Sequence, residues 1–391
     1  MATDLINLAA LSKRELQSLT AGWGWSRYRA AQLWEWLYRR RVVSFDAMTN
    51  LSGAMRAELA QRANVRWPSV VEHRIADDGT RKLLIELEDG RRIESVLIPD
   101  ERRLTLCLST QVGCTLDCGF CLTGTMGLSR NLKAFEIVGQ WLAAQQELEH
   151  HPEGLPARLT NLVFMGMGEP LANLPQLIDA ITRLTDPHGI AVPPRRITVS
   201  TAGLAPQIAE LGRVVPAVNL AVSLNATDDA TRARIMPLAA RYSIDEVMAA
   251  CRTYPLAPRR FITFEYVLLD RVNDSDDEAR RLAMWLRGLR AKINLIPWNP
   301  FPGTPFRRPS DERIARFQRI LLDRKVPTYI RKSKGREILA ACGQLHQATR
   351  RSDTGADAGT DTRTNDQPDD RAADRSDEKA DEQPAQPLHA A

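Results

Sequence analysis

Cysteine is scarce in this 391-residue chain, with six in all. A disulfide-stapled scaffold is thereby excluded, and each cysteine is better read as a ligand or a catalyst than as a structural link. No apolar run is long enough to span a bilayer, and the opening MATDLINLAALSKREL lacks a signal-peptide pattern, so a cytoplasmic protein without membrane contact is expected. Near the cysteines there is neither a second CxxC-like pair nor a CxxH, the partners that a closed four-ligand zinc loop normally needs. What remains is ordinary in composition, 43% hydrophobic and 26% charged, and long enough for a large catalytic domain with small additions.

The formal charge of +5 hides an asymmetry. Residues 351–391 carry 5 basic and 11 acidic side chains, which leaves residues 1–350 with an excess of 11 positive charges. A folded part that basic suits a polyanionic partner, although basic surfaces also occur without one.

Four of the six cysteines fall in CLSTQVGCTLDCGFC, residues 107–121, and three of these, Cys114, Cys118 and Cys121, are spaced CxxxCxxC. A tight loop with those intervals can present three thiolates to three corners of a [4Fe–4S] cube. No fourth ligand is nearby, so one iron would stay open, as a cofactor-activating cluster requires. Two blander accounts, a zinc loop and three inert buried cysteines, fit less well: the first wants four ligands, and the second leaves three cysteines packed around Gly113 and Gly119 unexplained.

Ser12 followed by Glu15 is a capping-box signal, and Leu33, Trp36 and Leu37, with Trp34 near them, recur at helical spacing among Arg27, Arg29, Arg39, Arg40 and Arg41. This stretch is either a small bundle with a solvated basic face or an RNA-docking module in which arginines meet phosphates and a tryptophan stacks on a base. Residues 69–99 alternate like a β-meander, with turns at Asp78-Gly79 and Asp89-Gly90. From residue 104, six apolar runs (TLCLST, LTNLVFMGM, RITVSTAG, VNLAVSLNA, FITFEYVLLD, INLIPWNP) alternate with helical segments, which implies a parallel sheet with helices outside it. Polar residues end several of these strands: Gly168 and Glu169 in GMGEP, Ser200, Ser223 with Leu224 and Asn225, and Asn299. Individually each is an ordinary turn or strand-end cap. Beyond residue 350 large apolar residues almost vanish, and disorder is expected.

CxxxCxxC with an aromatic residue, Phe120, before its last cysteine is similar to the signature of radical S-adenosylmethionine enzymes. The longer string TLCLSTQVGCTLDCGFC, followed by GLSRNLKAFEIVGQ, resembles more narrowly the RlmN/Cfr branch, the RlmN-type dual-specificity RNA methyltransferases, over most of residues 5–347. The fold this implies is α/β: a helical RNA-binding domain at 1–66, a small β extension at 67–103, a partial (β/α)6 barrel with a catalytic cysteine loop at 104–349, and a disordered acidic tail at 350–391.

The resemblance also implies a site. Cys114, Cys118 and Cys121 would hold one [4Fe–4S] cluster. Gly168, Glu169, Ser200, Ser223, Leu224, Asn225 and Asn299 would contact S-adenosylmethionine, two molecules of which serve each turnover. Cys342, in the basic segment PTYIRKSKGREILAACGQL, would carry the methyl group, Cys107 would be its resolving partner through a transient disulfide, and Glu94, in IESVLIP, would accept a proton. Two departures stand out: Asn225 occupies a position where histidine is commoner, and Leu122 one where serine is. Cys251 has no matching role and reads as core.

The chemistry so implied suits an electron-poor adenine carbon, which a methyl cation does not attack. A methyl group placed on Cys342 would lose hydrogen to a cofactor-derived radical, add to the base, and be released when Cys107 attacks the Cys342 sulfur. The implied product is 2-methyladenosine at position 2503 of 23S rRNA and position 37 of tRNA, made by a monomer fed by a flavodoxin-type reductant. The alternatives are C8 methylation of the same rRNA base, as in the Cfr relatives, and a non-catalytic RNA-binding iron–sulfur protein.

Overall fold

The capping signal at Ser12 closes as its spacing predicts. The Ser12 hydroxyl accepts from the Glu15 amide at 3.2 Å, and the Glu15 carboxylate accepts from the Ser12 amide at 2.7 Å, satisfying two N–H groups that a helix start leaves open. The computed structural model describes residues 5–156, 158–237 and 241–346, which belong to one compact unit. The expected disordered tail lies outside the described residues.

The N-terminal part comprises β1 (Ile6–Asn7), α1 (Lys13–Gly22), α2 (Arg27–Trp34), α3 (Gly53–Arg62) and β2 (Ala63–Asn64), with β1 and β2 paired in parallel. Leu33, Trp34, Trp36 and Leu37 are all buried. Trp34 tilts against Tyr38 with ring centroids 4.1 Å apart, and the Trp36 indole donates to Asn50. The idea that a tryptophan of this face stacks on a base is thereby corrected: large apolar area is worth more in the core, and these indoles are spent there. Arg27, Arg39 and Arg40 stay exposed.

The meander forms β3 (Ser69–Ile75), β4 (Arg81–Glu86) and β5 (Arg92–Asp100). Its two turns use Gly79 and Gly90 at φ 79° and 77°, a conformation that glycine adopts without steric cost. After it come β6 (Arg103–Cys107), β7 (Gln111–Gly113), β8 (Leu128–Asn131), α4 (Ala134–His150), β9 (Asn161–Phe164), α5 (Leu174–Thr185), β10 (Ile197–Thr201), α6 (Ala205–Val214) and β11 (Asn219–Ser223). The chain continues through α7 (Asp229–Ile235), α8 (Ile244–Thr253), β12 (Ile262–Leu268), α9 (Asp276–Trp285), β13 (Ala291–Pro297), α10 (Asp311–Asp323) and β14 (Thr328–Ile330).

A ten-stranded sheet runs β14-β13-β12-β11-β10-β9-β6-β5-β4-β3. The six apolar runs are β6 and β9 to β13, all parallel, as strands covered on both faces must be apolar throughout. Two features go beyond the six-strand expectation. β14 adds a further parallel strand beside β13, and the meander joins the same sheet through antiparallel β5–β6 pairing, with Val96 opposite Cys107. Arg81 of β4 ties the meander to α4 through a buried ion pair with Glu147, 2.9 Å. Among the described residues no helix is long and apolar enough to cross a membrane.

Candidate active site

β7 and β8 pin the base of the cysteine loop. A Cβ on Gly113, at φ 82°, would lie 1.9 Å from the Gly127 carbonyl, so only glycine lets the two strands close there. The Cys114 amide donates to that same carbonyl and the Cys121 amide to the Cys118 carbonyl, both at 3.0 Å. The three thiols wall one cavity of about 940 Å³ at the C-terminal ends of the parallel strands. Burial pushes the Cys114 thiol up to about 12, Cys118 well above its ordinary range, and Cys121 in the same direction. Backbone N–H groups of Leu116 and Thr115 at Cys114, and of Gly124 and Thr123 at Cys121, pull the other way. A donor set of this kind gives up its protons when a metal takes their place. Three thiols with N–H groups aimed at two of them, on a loop without a fourth ligand, fit a [4Fe–4S] cluster with one open iron.

The same cavity is lined by Gly168, Glu169, Ser200, Ser223, Asn225, Asn299 and Cys342. Glu169 is buried, and its carboxylate accepts from the Leu171 amide at 2.9 Å and the Ala202 amide at 2.8 Å. Burial outweighs those bonds and raises its pKa to about 7. Such a carboxylate is primed for a cationic ligand, whose charge would restore the ionised form. Asn225 sits at φ 58°, in the left-handed region where Asn and His are both enriched, which gives its departure from histidine a backbone reason. Its amide is engaged at both ends, the oxygen by the Val267 N–H at 2.9 Å and the nitrogen by the Met236 sulfur at 3.2 Å. Leu224 is not in the cavity wall: its side chain is buried in the core, and its amide donates to the Glu265 carbonyl.

A second cavity adjoins the first. Cys107, Lys332, Lys334 and Asp100 line it, and Met165, Ile296, Asn299, Arg331 and Cys342 line both. Asn299 donates to the Cys342 carbonyl at 3.2 Å, fixing the cysteine loop over the strand ends. Burial pushes the Cys107 thiol up to about 12, Cys342 adds to that rise, and Arg331 and the Met165 N–H oppose it. Glu94 lies on the face of β5 that Val96 shares with Cys107, but it lines neither cavity. It forms a buried ion pair with Lys82, 2.9 Å, and accepts from the His346 amide at 2.9 Å; burial nonetheless raises its pKa. Cys251 is buried in the hydrophobic core.

Sequence reasoning passed over Gln111 and Glu265, and read Arg331 only as one member of a basic loop. Gln111 accepts from the Glu169 amide at 3.0 Å and joins the cysteine loop to the glycine turn. Glu265, on β12, is a buried carboxylate in the cavity wall. A charged residue in the middle of the apolar run FITFEYVLLD was the available signal, because burying an ion in a strand is costly without a purpose.

Three thiols on one loop, a glycine turn and a buried carboxylate at the strand ends of a parallel α/β sheet define a radical S-adenosylmethionine enzyme, and residues 108–283 match the radical SAM superfamily. Residues 6–65 match the ribosomal RNA large subunit methyltransferase N-terminal domain. The chain is 50% identical over 331 residues to the dual-specificity RNA methyltransferase RlmN of Syntrophobacter fumaroxidans, covering 85% of this chain and 95% of that one. It is 50% identical over 341 residues to RlmN of Syntrophotalea carbinolica, covering 87% and 89%. A crystal structure of a radical SAM methyltransferase from Sphaerobacter thermophilus superposes with a TM-score of 0.80 at 47% identity, covering 87% of this chain and 99% of that one. The chain belongs to the RlmN family of dual-specificity RNA methyltransferases. Membership implies a [4Fe–4S] cluster and S-adenosylmethionine.

Proposed function

We propose that this chain methylates C2 of adenosine 2503 in 23S rRNA and of adenosine 37 in tRNA, through a methyl group carried on Cys342. The observation that carries the reading is Cys342 itself, in the wall of the thiol cavity and of the cavity that holds Cys107. When bound, the cluster and S-adenosylmethionine supply an abstraction of hydrogen that no side chain can perform. Cys114, Cys118 and Cys121 hold the cluster, and Glu169 takes the ammonium group of the cofactor. Gly168 lets backbone approach it, and Ser200, Ser223, Asn225 and Asn299 offer polar groups to its ribose, carboxylate and adenine.

The Cys342 thiol would take a methyl group from one S-adenosylmethionine, and a second would supply the activation, two in each turnover. Cys107 then attacks the Cys342 sulfur and frees the base, leaving a disulfide for a thiol reductant to reopen. Glu94 accepts a proton during release, a role favoured by the rise in its proton affinity on burial. The basic rim of Arg331, Lys332 and Lys334, with the exposed arginines of α2 and the turn after it, faces the RNA phosphates. A flavodoxin-type electron donor and a cytoplasmic monomer complete the reading.

Mass spectrometry of rRNA and tRNA from wild-type, deletion and Cys342→Ala strains tests it. 2-Methyladenosine should vanish at both positions in the latter two. Loss of 8-methyladenosine instead would transfer the activity to C8, and loss of neither would leave the chain without this function.

A further inference from the structure

We propose that Arg331, held by Glu265, is the positioning residue that prepares the Cys107–Cys342 pair for sulfur–sulfur exchange. The inference rests on the reading that Cys107 releases the product from Cys342. Of the five residues common to the two cavities, Met165, Ile296, Asn299, Arg331 and Cys342, only Arg331 carries a permanent charge. Its backbone is fixed at the end of β14, where its N–H donates to the Leu295 carbonyl at 2.8 Å. Its side chain is one-third exposed and reaches to 4.0 Å from Glu265 Oε2 and 3.9 Å from the Met165 sulfur.

Glu265 is built for this task. Its Oε1 accepts from the Asn294 amide at 3.0 Å, whereas Oε2, buried, has no hydrogen-bond partner. An ionised oxygen left so is costly unless a cation compensates it, and the guanidinium is the cation within reach. Cys342, then Glu265 and Cys107, hold Arg331 protonated beyond its usual range.

The other charged groups around the second cavity do not replace it. Lys334 donates to the Pro99 carbonyl, Lys332 and Asp100 lie at the exposed rim, and Lys82 is paired with Glu94. Cys107 thus sits where burial and Cys342 disfavour its thiolate, with Arg331 and one N–H as the opposing influences. Product release needs that thiolate. A bond forms between the Cys107 and Cys342 sulfurs while the bond from Cys342 sulfur to the base-linked methylene breaks. Its electron pair passes into the purine ring and returns with a proton to the methylene carbon, which leaves as methyl. The two sulfurs are oxidised to a disulfide and the methylene is reduced, with no further oxidant.

The test uses the cluster-loaded full chain and a 23S rRNA fragment in single turnover, following protein–RNA adduct, methyladenosine and 5′-deoxyadenosine between pH 6.5 and 9. Adduct resolved is expressed per adduct formed, so losses in earlier steps cancel. Arg331→Gln should slow resolution at least ~10-fold, the effect of raising a thiol by one pH unit; because burial already pushes the Cys107 thiol up to about 12, that ratio should hold between pH 6.5 and 9 while both rates rise with pH. Arg331→Lys should restore part of the rate, and Glu265→Gln should slow it a few-fold, again by a ratio that holds across this window. Resolution at the wild-type rate, or a resolution rate that does not rise with pH, would overturn the inference. If Arg331→Gln cannot be loaded with the cluster, Arg331→Lys carries the test, slower resolution with a rate that still rises with pH supporting the role and wild-type resolution refuting it. Cys107→Ala separates the two layers. If it accumulates adduct while Arg331→Gln does not, only the Arg331 role fails; if it accumulates none, the reading of Cys107 fails first.

Discussion

The two cavities that meet at Cys342 are built on opposite principles. The first is walled by a contiguous cysteine loop, glycines and apolar strand ends, with Glu169 and Glu265 its buried carboxylates; the second adds Lys332 and Lys334 to the Arg331 that both share. A largely apolar wall strengthens the few charges set into it, while a cationic mouth attracts phosphate. Cys342 borders both, and under the proposed function a carbon held on its sulfur would pass from one setting to the other without leaving the protein. Division of labour between neighbouring chambers is what the comparison teaches, and the predictions below strike one chamber, the other, or Cys342 where they meet.

The largest effect is expected from Cys118→Ala. It should give a colourless, iron-poor protein on anaerobic purification, with methylation down by more than ~10³-fold, while RNA affinity in a gel-shift assay stays near wild type. Cys342→Ala should instead remain brown, yet yield no methyladenosine by mass spectrometry.

Glu169→Gln strikes the first chamber electrostatically. Losing one charge-assisted contact should weaken S-adenosylmethionine binding by roughly 10- to 100-fold in calorimetry. The pH dependence has a definite sign. Burial raises the folded Glu169 carboxyl from 4.5 to about 7, so its contribution to stability is fully present below 4.5 and lost as pH rises through 7. Cofactor-free wild type should therefore lose up to about 3 kcal/mol relative to Glu169→Gln across that window, measured by denaturant melts.

Lys82→Met acts beside the second chamber. It strands Glu94 in a buried site and should cost about 3 kcal/mol of stability in urea unfolding, with S-adenosylmethionine affinity retained. The smallest effect is expected at the rim. Lys332→Ala should weaken RNA binding only a few-fold and lower the salt slope by about 1, leaving cofactor affinity unchanged. A loss of cofactor affinity in this last variant would erase the distinction between the chambers.

Much of the first chamber was legible because its chemistry is local. Cys114, Cys118 and Cys121 sit within eight residues, so their spacing alone constrains where their sulfurs point. GMGEP follows its strand directly, and the six apolar runs appear as six parallel strands because strands buried on both faces leave an uninterrupted apolar signature. Glu265 and Arg331 were not legible. A lone glutamate in an apolar strand and one arginine in a basic segment acquire meaning only when β12 and the end of β14 bring them within 4.0 Å. Trp34 and Trp36 misled for a related reason: helical spacing shows that a face is apolar, but not whether it is covered.

The polypeptide alone determined the cysteine loop, the alternation of strands and helices and the excess of positive charge, since each follows from neighbours in the chain. The folded structure decided that Cys107 and Cys342, 235 positions apart, border a common cavity. It also decided that Glu94 is tied to Lys82 and that a guanidinium stands where the two chambers join. Distances between remote residues depend on how strands pair and loops close over them, and no local pattern of side chains encodes that.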